Sequence, residues 1–383
     1  MSKYDKIKSG IMLGVIGDVI GFGNGKIEFN DNNIFSFDNY GEQYKQMGAD
    51  YTNTIIFDFI YNGGIADHPK PHWTVSDDTI MLFANMKGLL TDFNNNNELI
   101  ENTKIEYINI IKEKKDLDAF ERIYAGGLTT ISSLKKLKSG IDYKDFVYDE
   151  KAGGSGGSMR SMIYGAIFYD EKDKIKLLES CIETTCLTHN NAIAYLGAYA
   201  CALFTALAMR NIESNKWCFE LVEILETDFI DNYIKTNKEK DYAFYERDKK
   251  IFLNKWKDYI EDNFDDYDYK YKKKISMKYP SQRTLYYSKF SIRKNNIYPG
   301  AGGDDSVIIA YDCLLESEGN WEKLVYYSML HVGDSDTTGI IAAFIYGIYY
   351  TSYKVNNKMI ENLIDYKEEI YKYTELIYKK FFL

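Results

Sequence analysis

The chain has 383 residues, near the upper end of what one compact domain reaches. Apolar residues make up 45% of it, enough for a sizeable core, which argues against a disordered protein. Its 47 basic and 57 acidic side chains give a net charge of −10, which argues against nucleic acid as a direct ligand. The five cysteines form no C-x-x-C pair, so we expect a reduced, intracellular compartment and a cytoplasmic location.

The first predicted element is an apolar helix with a glycine at every third or fourth position. Gly10, Gly14, Gly17 and Gly21 fall on one helical face. A face without side chains lets a neighbouring helix approach closely, despite the intrinsic cost of glycine in a helix. The lysines before the apolar run imitate a signal peptide, but Asp18 interrupts the run and no small-residue cleavage site follows.

Helical periodicity dominates the rest of the chain, and strand-like alternation is rare. The sequence therefore predicts an all-α fold, a compact orthogonal helical bundle in which residues 1–383 form a single domain. Ala192–Met209 is long enough to span a bilayer, but its small and polar residues favour a buried core helix, and we expect no membrane contact. Predicted helices after the first span Thr79–Leu90, Glu98–Lys114, Met159–Tyr169, Asp173–Cys186, Ala192–Arg210, Phe219–Asp228, Val307–Leu315, Trp321–Leu330, Thr337–Tyr349 and Lys358–Phe382.

Residues 235–287 differ in character from their surroundings. They are rich in Lys, Asp and Tyr and too poor in apolar residues for a core of their own. We predict a charged surface excursion with one or two helices, around Phe252–Glu261, and not a second domain.

Two adjacent carboxylates, Asp77 and Asp78, stand between the hydroxyls of Ser76 and Thr79 where a predicted helix begins. Capping of that helix is one interpretation, since Ser or Asp accepts hydrogen bonds from the free N–H groups. Capping needs only one acid, however. Two adjacent acids repel each other unless a cation or a substrate separates them, which favours metal binding.

A second acidic helix start lies near the C-terminus, where Asp334 and Asp336 precede an apolar run together with the hydroxyls of Thr337 and Thr338. These oxygen ligands suit Mg²⁺, Mn²⁺ or Ca²⁺ and suit zinc poorly. The spacing does not continue as an EF-hand, and helix capping is again the alternative. Two acidic helix starts that are distant in sequence can converge on two metal ions, so we predict a binuclear site at helix N-termini.

Two glycine-rich segments are candidates for phosphate binding. Residues 153–160 pass from Gly and Ser directly into a helix, and backbone N–H groups at such a start bind anions. No Gly-Lys-Ser/Thr ends the segment, so it is not a P-loop, and a flexible linker is the alternative. The second segment, residues 299–305, follows Tyr298, which offers an aromatic plane for a base.

Taken in order, the motifs are Gly17-Asp18, Val75–Thr79, Gly154-x-Gly-x-x-Met-Arg160, Thr188-His189 and Gly333–Thr337. Together they resemble the ADP-ribosylglycohydrolases, an all-α, metal-dependent family, over roughly Tyr4 to Tyr350. Within that family the sequence is most similar to ADP-ribosylarginine hydrolase. The features behind this choice are Asn24–Phe29, Trp73–Thr79, Leu196–Ala208, Lys255-Trp256 and Ile309–Asp312.

The resemblance implies hydrolysis of ADP-ribosyl-arginine on proteins, releasing ADP-ribose, with two Mg²⁺ ions or Mn²⁺ in their place. It implies catalytic roles for Asp77 or Asp78, as acceptor of a water proton, and for Glu28, near the anomeric carbon of the distal ribose. The implied metal residues are Ser76, Asp77, Asp78, Asp334, Asp336 and Thr337. The implied ADP-binding residues are Gly126, Gly127, Gly153, Gly154, Ser155, Gly156, Gly157, Ser158, Met159, Tyr298, Gly300, Gly302 and Gly303.

Three departures from the family pattern touch the nucleotide contacts. Gly157-Ser158 replaces a pair of alanines, Tyr298 replaces a tryptophan, and Asp304 stands where this branch often has histidine. Three alternatives stay open at this point. They are hydrolysis of serine-linked or free ADP-ribosyl compounds, a catalytically silent ADP-ribose-binding protein, and a structural helical protein whose acids only cap helices.

Overall fold

A computed structural model describes residues 2–29, 42–113, 117–265, 269–272, 280–290, 299–351, 355–363 and 366–383. Within these ranges the regular elements are α-helices and short 3₁₀ turns, so the predicted all-α class is confirmed. The α-helices are α1 (Lys3–Phe22), α2 (Glu42–Tyr61), α3 (Asp77–Leu90), α4 (Asn96–Glu113), α5 (Leu117–Tyr124), α6 (Leu128–Lys138), α7 (Ser158–Ile167), α8 (Lys174–Cys186), α9 (Ala192–Met209), α10 (Trp217–Glu226), α11 (Asp228–Asn237), α12 (Tyr242–Asn263), α13 (Pro280–Tyr287), α14 (Asp305–Ser317), α15 (Trp321–Ser328), α16 (Ser335–Tyr350), α17 (Asn357–Glu361) and α18 (Lys367–Phe382).

Helices α1 and α16 pack with their backbones in close approach, and this pair positions the candidate site. A Cβ atom built on Gly17 lies 2.4 Å from the carbonyl oxygen of Gly339, and one on Gly21 lies 2.2 Å from that of Ser335. No side chain fits at such distances, so the glycine face of α1 is required by this contact. The C-terminal end of α1 is thereby fixed against the N-terminus of α16.

Helix α9 is the one helix within the described ranges that is long and apolar enough to cross a membrane, and all 18 of its residues are buried inside the chain. It packs on α7, where a Cβ atom on Gly165 lies 2.0 Å from the carbonyl oxygen of Ala202. The Asn191 side chain accepts a hydrogen bond from the N–H of Ile193 and caps the helix. The five cysteines of the chain are buried and form no disulfide.

The segment predicted as a charged surface excursion contributes to the core. Helix α12 buries Tyr245, Phe252, Trp256 and Tyr259 at spacings of three, four and seven residues, which place them on one face. The Trp256 ring packs edge-on against Phe204 of α9 at 5.4 Å between ring centroids. The charged opposite face masks this periodicity in the sequence. Residues 266–268 and 273–279 of the segment lie outside the described ranges.

The prediction of one helix over Lys358–Phe382 is wrong, because α17 and α18 are separate. Between them the Asn362 side chain donates a hydrogen bond to the carbonyl oxygen of Pro69 at 2.7 Å, and Tyr366 contacts Thr74 through their hydroxyls at 3.0 Å. These contacts tie Asn362 and Tyr366 to the segment before α3. The partner residues lie about 290 positions away in the sequence, so the local spacing of apolar residues does not predict these contacts.

Candidate metal and ADP-ribose site

Asp18, inside α1, anchors the start of α3. Its carboxylate accepts hydrogen bonds from the N–H of Ser76 at 3.1 Å, from the N–H of Thr79 at 3.2 Å, and from the Thr79 hydroxyl. The Ser76 hydroxyl accepts a further bond from the N–H of Asp78 at 3.1 Å. The N-terminus of α3 is therefore capped by Asp18 and Ser76, so capping does not account for Asp77 and Asp78.

The two acidic helix starts converge with the loop after α1 in one carboxylate cluster, which consists of Glu28, Asp77, Asp78, Asp334 and Asp336. One carboxylate oxygen from each of Glu28, Asp334 and Asp336 lies within 4.8 Å of the others. The Thr337 hydroxyl joins the second helix start to the first by donating to Asp78 Oδ2 at 2.9 Å. The four aspartates are buried, and Glu28 is half-buried.

Glu28 is held in place by its backbone neighbours. The N–H of Phe29 donates to the carbonyl oxygen of Gly333 at 3.1 Å, which ties the loop to the segment before α16. The Asn24 side chain accepts from the N–H of Thr74 at 2.8 Å, which ties the same loop to the segment before α3. Backbone tethers at both ends thus bring Glu28 into the cluster.

Like charges and burial dominate the electrostatics of the cluster. Burial, followed by the charge of Asp336, raises the pKa of Glu28, Asp77 and Asp78 well above the usual carboxyl range. Burial and the neighbouring charge of Asp334 do the same to the pKa of Asp336. The positive charge of Arg160 lowers the pKa of Asp77, but it ranks behind burial and the charge of Asp336 among the causes. The cluster therefore retains protons unless a cation balances its charge.

The donor set fits hard divalent cations. It supplies carboxylate oxygens together with the hydroxyls of Ser76 and Thr337, which are ligands of Mg²⁺, Mn²⁺ and Ca²⁺. Both ring nitrogens of the adjacent His331 are already engaged, with the Thr338 hydroxyl at 2.9 Å and the N–H of Gly333 at 3.1 Å. Histidine is therefore not offered to a metal here. The assignment of Ser76, Asp77, Asp78, Asp334, Asp336 and Thr337 as ligands stays a prediction, although the geometry brings them together.

The two glycine-rich segments pair with each other at the edge of the cluster. The N–H of Ser155 donates to the carbonyl oxygen of Ala301 at 3.1 Å, and the N–H of Gly303 donates to that of Gly153 at 2.9 Å. The Ser155 hydroxyl donates to Asp334 Oδ2 at 3.0 Å, so the paired segments contact the cluster directly. Asp305 fixes the second segment by accepting from the N–H groups of Gly300 and Gly302.

Packing accounts for part of the glycine content of these segments. A Cβ atom on Gly156 lies 2.5 Å from His189 Cε1, and one on Gly157 lies 2.6 Å from Thr185 Cγ2. Residues 155–159 are buried, whereas Gly153 and Gly154 are half-exposed. The accessible part of the predicted phosphate cradle is therefore its first two glycines, and the anion-binding role of the segment stays a prediction.

A third glycine pair lies beside Asp77. The backbone N–H of Gly127 lowers the pKa of Asp77, while Gly126 is buried, and a Cβ atom there lies 2.6 Å from the ring of Phe120. Gly127 is exposed, and the nearest atom to a Cβ on it is 3.9 Å away. Tyr298, the predicted aromatic plane for the base, lies outside the described residues.

Two buried charged residues next to the cluster were not assigned a site role from the sequence. Asp18 is one, and the pattern that reveals it is an acid within an otherwise apolar helix. Arg160 is the other: its guanidinium lies 5.0 Å from the ring centroid of Tyr107 and donates to the Thr188 hydroxyl at 2.7 Å. Burial raises the pKa of Asp77 more than the positive charge of Arg160 lowers it.

Comparison with known proteins identifies the family. The family model for ADP-ribosylglycohydrolases matches residues 1–382. The chain belongs to the ADP-ribosylglycohydrolase family. It is 31% identical over 368 residues to ADP-ribosylhydrolase ARH1 of Dictyostelium discoideum, an alignment that covers 90% of this chain and 87% of that protein. The resemblance predicted from the motifs is therefore confirmed at the level of the family.

Two further similarities place this ADP-ribosylglycohydrolase among its relatives. It is 36% identical over 343 residues to a protein of Acanthamoeba polyphaga mimivirus named as an ADP-ribosyl glycohydrolase, covering 88% of this chain and 62% of that longer protein. A solved structure described as an ADP-ribosylglycohydrolase-related protein complex matches 98% of both chains with a TM-score of 0.54 and 14% identity. That structure supports the fold of the family and nothing more specific.

Proposed function

We propose that this chain hydrolyses the N-glycosidic bond between ADP-ribose and the guanidinium group of arginine, releasing ADP-ribose and unmodified arginine. Membership of the family supports an ADP-ribosyl substrate. The observation that carries the proposal is the carboxylate cluster itself, which gathers five acids from three chain segments beside accessible glycine backbone. A site with this excess of negative charge favours cations, and both divalent metals and the guanidinium group are cationic.

The metal part of the proposal assigns two Mg²⁺ ions, or Mn²⁺, to the cluster. Capping of α3 by Asp18 leaves Asp77 and Asp78 for another role, and burial together with the charge of Asp336 raises the pKa of both, which a bound cation would offset. When bound, such cations polarise hydroxyl and water oxygens at neutral pH. The residues that would hold them are Ser76, Asp77, Asp78, Asp334, Asp336 and Thr337.

The proton acceptor in the proposed reaction is Asp77 or Asp78. The Thr337 hydroxyl orients Asp78, and the Gly127 N–H lowers the pKa of Asp77. A carboxylate has about four lone-pair sites, so one such bond leaves room to accept a proton from a water. General-base assistance of this kind contributes about 10²–10⁴-fold to rate.

Glu28 is proposed to contact the arginine side of the scissile bond. Its tethered, half-buried carboxylate lies next to Asp334 and Asp336, so an arriving guanidinium meets several negative charges. Charge-assisted hydrogen bonds to such a group contribute about 1.5–3 kcal/mol. A serine linkage offers no charge to this contact, so arginine is the favoured acceptor.

The ADP moiety is proposed to lie along the paired glycine segments and Gly127. Gly153 and Gly154 present half-exposed backbone, and Asp305 fixes the second segment by accepting hydrogen bonds from its N–H groups. Backbone N–H groups without side chains suit phosphate oxygens. The nucleotide therefore lies on the side of the cluster where Ser155 meets Asp334.

The test is a direct comparison of two substrates. The purified chain is incubated with peptides carrying ADP-ribose on arginine or on serine, with Mg²⁺ or with EDTA. We expect release of ADP-ribose from the arginine peptide in Mg²⁺, at least about tenfold faster than from the serine peptide, the scale of one charge-assisted contact. Equal or faster release from serine contradicts the arginine assignment. Binding of ADP-ribose without turnover of either peptide identifies a silent binding protein.

A further inference from the structure

A cleft of about 720 Å³ lies next to the chain segments that carry Glu28 and Ser76, and the proposed reaction has not used it. It lies between the end of α1, helix α2 and the loop that leads to α3. Ile27 lines it and immediately precedes Glu28, and Trp73 lines it three residues before Ser76. None of its lining residues belongs to the two glycine-rich segments. The cleft therefore adjoins the two chain segments that lead to Glu28 and Ser76, and it is separate from the proposed nucleotide side.

One wall of the cleft is a fixed aromatic stack. The ring centroids of Phe59 and His68 are 4.4 Å apart, and those of His68 and Trp73 are 5.1 Å apart. His68 is buried and its Nδ1 lies 3.0 Å from the carbonyl oxygen of Gly64, which fixes the ring. Phe59 and His68 are buried, so they hold the half-exposed Trp73 ring, which presents apolar surface to a ligand without needing to reorganise.

The apolar surface continues outside the cleft along α2. Tyr61 lines the cleft and is 79% exposed, Phe57 is 65% exposed, and Ile60 is 54% exposed. The Phe57 and Tyr61 rings stack with centroids 6.0 Å apart and an interplanar angle of 16°. Exposed large apolar side chains that cluster in this way mark interaction surfaces. Here they form a ridge at the mouth of the cleft.

Polar groups lie among these aromatic residues. Lys70 donates to Asp67 at 3.1 Å and to the carbonyl oxygen of Asn62, and Asp58 and Lys26 also line the cleft. A volume of this size exceeds one arginine side chain and matches pockets of about 300–1,000 Å³ that bury ligands with several functional groups. An apolar wall with a mixed-charge rim is the composition of a surface that binds polypeptide.

We infer that this cleft is the acceptor subsite, where the polypeptide flanking the ADP-ribosylated arginine binds, with apolar neighbours of that arginine against the Phe57–Tyr61 ridge. The inference rests on the proposed function, since it places the scissile bond at the carboxylate cluster and ADP-ribose on the glycine segments. The arginine side of the scissile bond then faces this cleft. Aromatic faces also suit an arginine side chain, which stacks on them through its planar guanidinium.

The experiment measures kcat/KM on two substrates for each variant. One substrate is free ADP-ribosyl-arginine, and the other is a peptide carrying one ADP-ribosylated arginine between apolar residues. For Tyr61→Ala and Phe57→Ala we expect the peptide-to-free ratio of kcat/KM to fall at least about fivefold, mainly through KM, which is the loss that marks an interface side chain. The matched control is Phe244→Ala, because Phe244 is 40% exposed and stacks on Tyr148 at 4.9 Å. Its ratio should equal that of the wild type.

Failure of the subsite and failure of the proposed function give different results. If the wild type cleaves both substrates and the ratio is unchanged in Tyr61→Ala and Phe57→Ala, the acceptor subsite is wrong while the activity stands. If Phe244→Ala lowers the ratio equally, the effect is not specific to this ridge and the subsite is also wrong. If the wild type cleaves neither substrate, the proposed function is wrong and the subsite falls with it. Thermal melting of each variant verifies that both α2 substitutions leave the protein folded.

Discussion

The substitution Asp336→Asn is expected to stabilise the metal-free protein and to abolish its response to Mg²⁺. Asp336 is the neighbour whose charge most raises the pKa of Glu28, Asp77, Asp78 and Asp18. Asparagine keeps the Oδ1 that accepts the N–H of Thr337 at 2.9 Å, and its amide can donate to Asp334. The substitution therefore removes charge with little change of shape.

The magnitude follows from the spacing of the carboxylates. Ligand oxygens of Glu28, Asp334 and Asp336 lie within 4.8 Å of one another, and two unit charges at that upper limit repel each other by about 3.5 kcal/mol at an effective dielectric constant of about 20. Because the cluster holds protons, we expect about 1–3 kcal/mol of this repulsion to be present at pH 8. An unfolding entropy of about 2.1 cal/mol/K per residue converts 1 kcal/mol into about 1.2 °C for 383 residues. The predicted rise in Tm of the variant in EDTA is therefore about 1–4 °C.

The assay is differential scanning calorimetry of the wild type and the variant, each in EDTA and in Mg²⁺. Saturating metal should stabilise the wild type by about 2.7 kcal/mol at a hundred times the Kd, whereas the variant should show little shift and at least a hundredfold lower activity. The control is Asp258→Asn, which removes one exposed acid of α12. This variant should have the Tm of the wild type both in EDTA and in Mg²⁺. A variant that melts below the wild type in EDTA, or that keeps the full Mg²⁺ shift, refutes the cation site.

Three further predictions address other parts of the site. Glu28→Gln should lower kcat/KM for the arginine peptide about ten- to a hundredfold and that for the serine peptide much less, because only the guanidinium loses a charge-assisted bond. Gly127→Ala should fold like the wild type, since its Cβ has no atom nearer than 3.9 Å, and it should weaken ADP-ribose binding measured by calorimetry. Gly156→Ala should lower the Tm, because its Cβ lies 2.5 Å from His189. Burial raises the pKa of Asp334 to about 6 in the folded protein, above its value in the unfolded chain. The metal-free protein should therefore lose stability as pH rises from about 4 through 6. The apparent Mg²⁺ affinity should increase over the same pH range.

Each of these predictions has an outcome that contradicts it. Equal losses on both peptides in Glu28→Gln place that carboxylate away from the acceptor. Unchanged ADP-ribose affinity in Gly127→Ala removes this glycine from the nucleotide site, and an unchanged Tm in Gly156→Ala shows that His189 moves aside. A Tm in EDTA that is constant or rises between about pH 4 and 6 contradicts the raised pKa of Asp334.

The sequence alone determined the helical class and most helix positions, because apolar residues recur with helical spacing and acids or hydroxyls mark the helix starts. The glycine face of α1 predicted a close helix neighbour, and the structure places α16 there. The two acidic helix starts predicted a shared site, and Thr337 and Asp78 indeed meet across 259 positions of sequence. These patterns could be recognised in the sequence because each is local and lies within one or two turns of helix.

Only the tertiary structure decided which local patterns serve another purpose. It assigns the capping of α3 to Asp18, from a helix 58 positions earlier, and thereby separates Asp77 and Asp78 from a capping role. It also explains Gly156 by the distant ring of His189 and buries one face of α12 against α9. In each case the contacting residue comes from another chain segment. Hydrogen bonds and packing contacts at 3–5 Å between distant segments produce no periodic pattern in the sequence, so the sequence does not predict them.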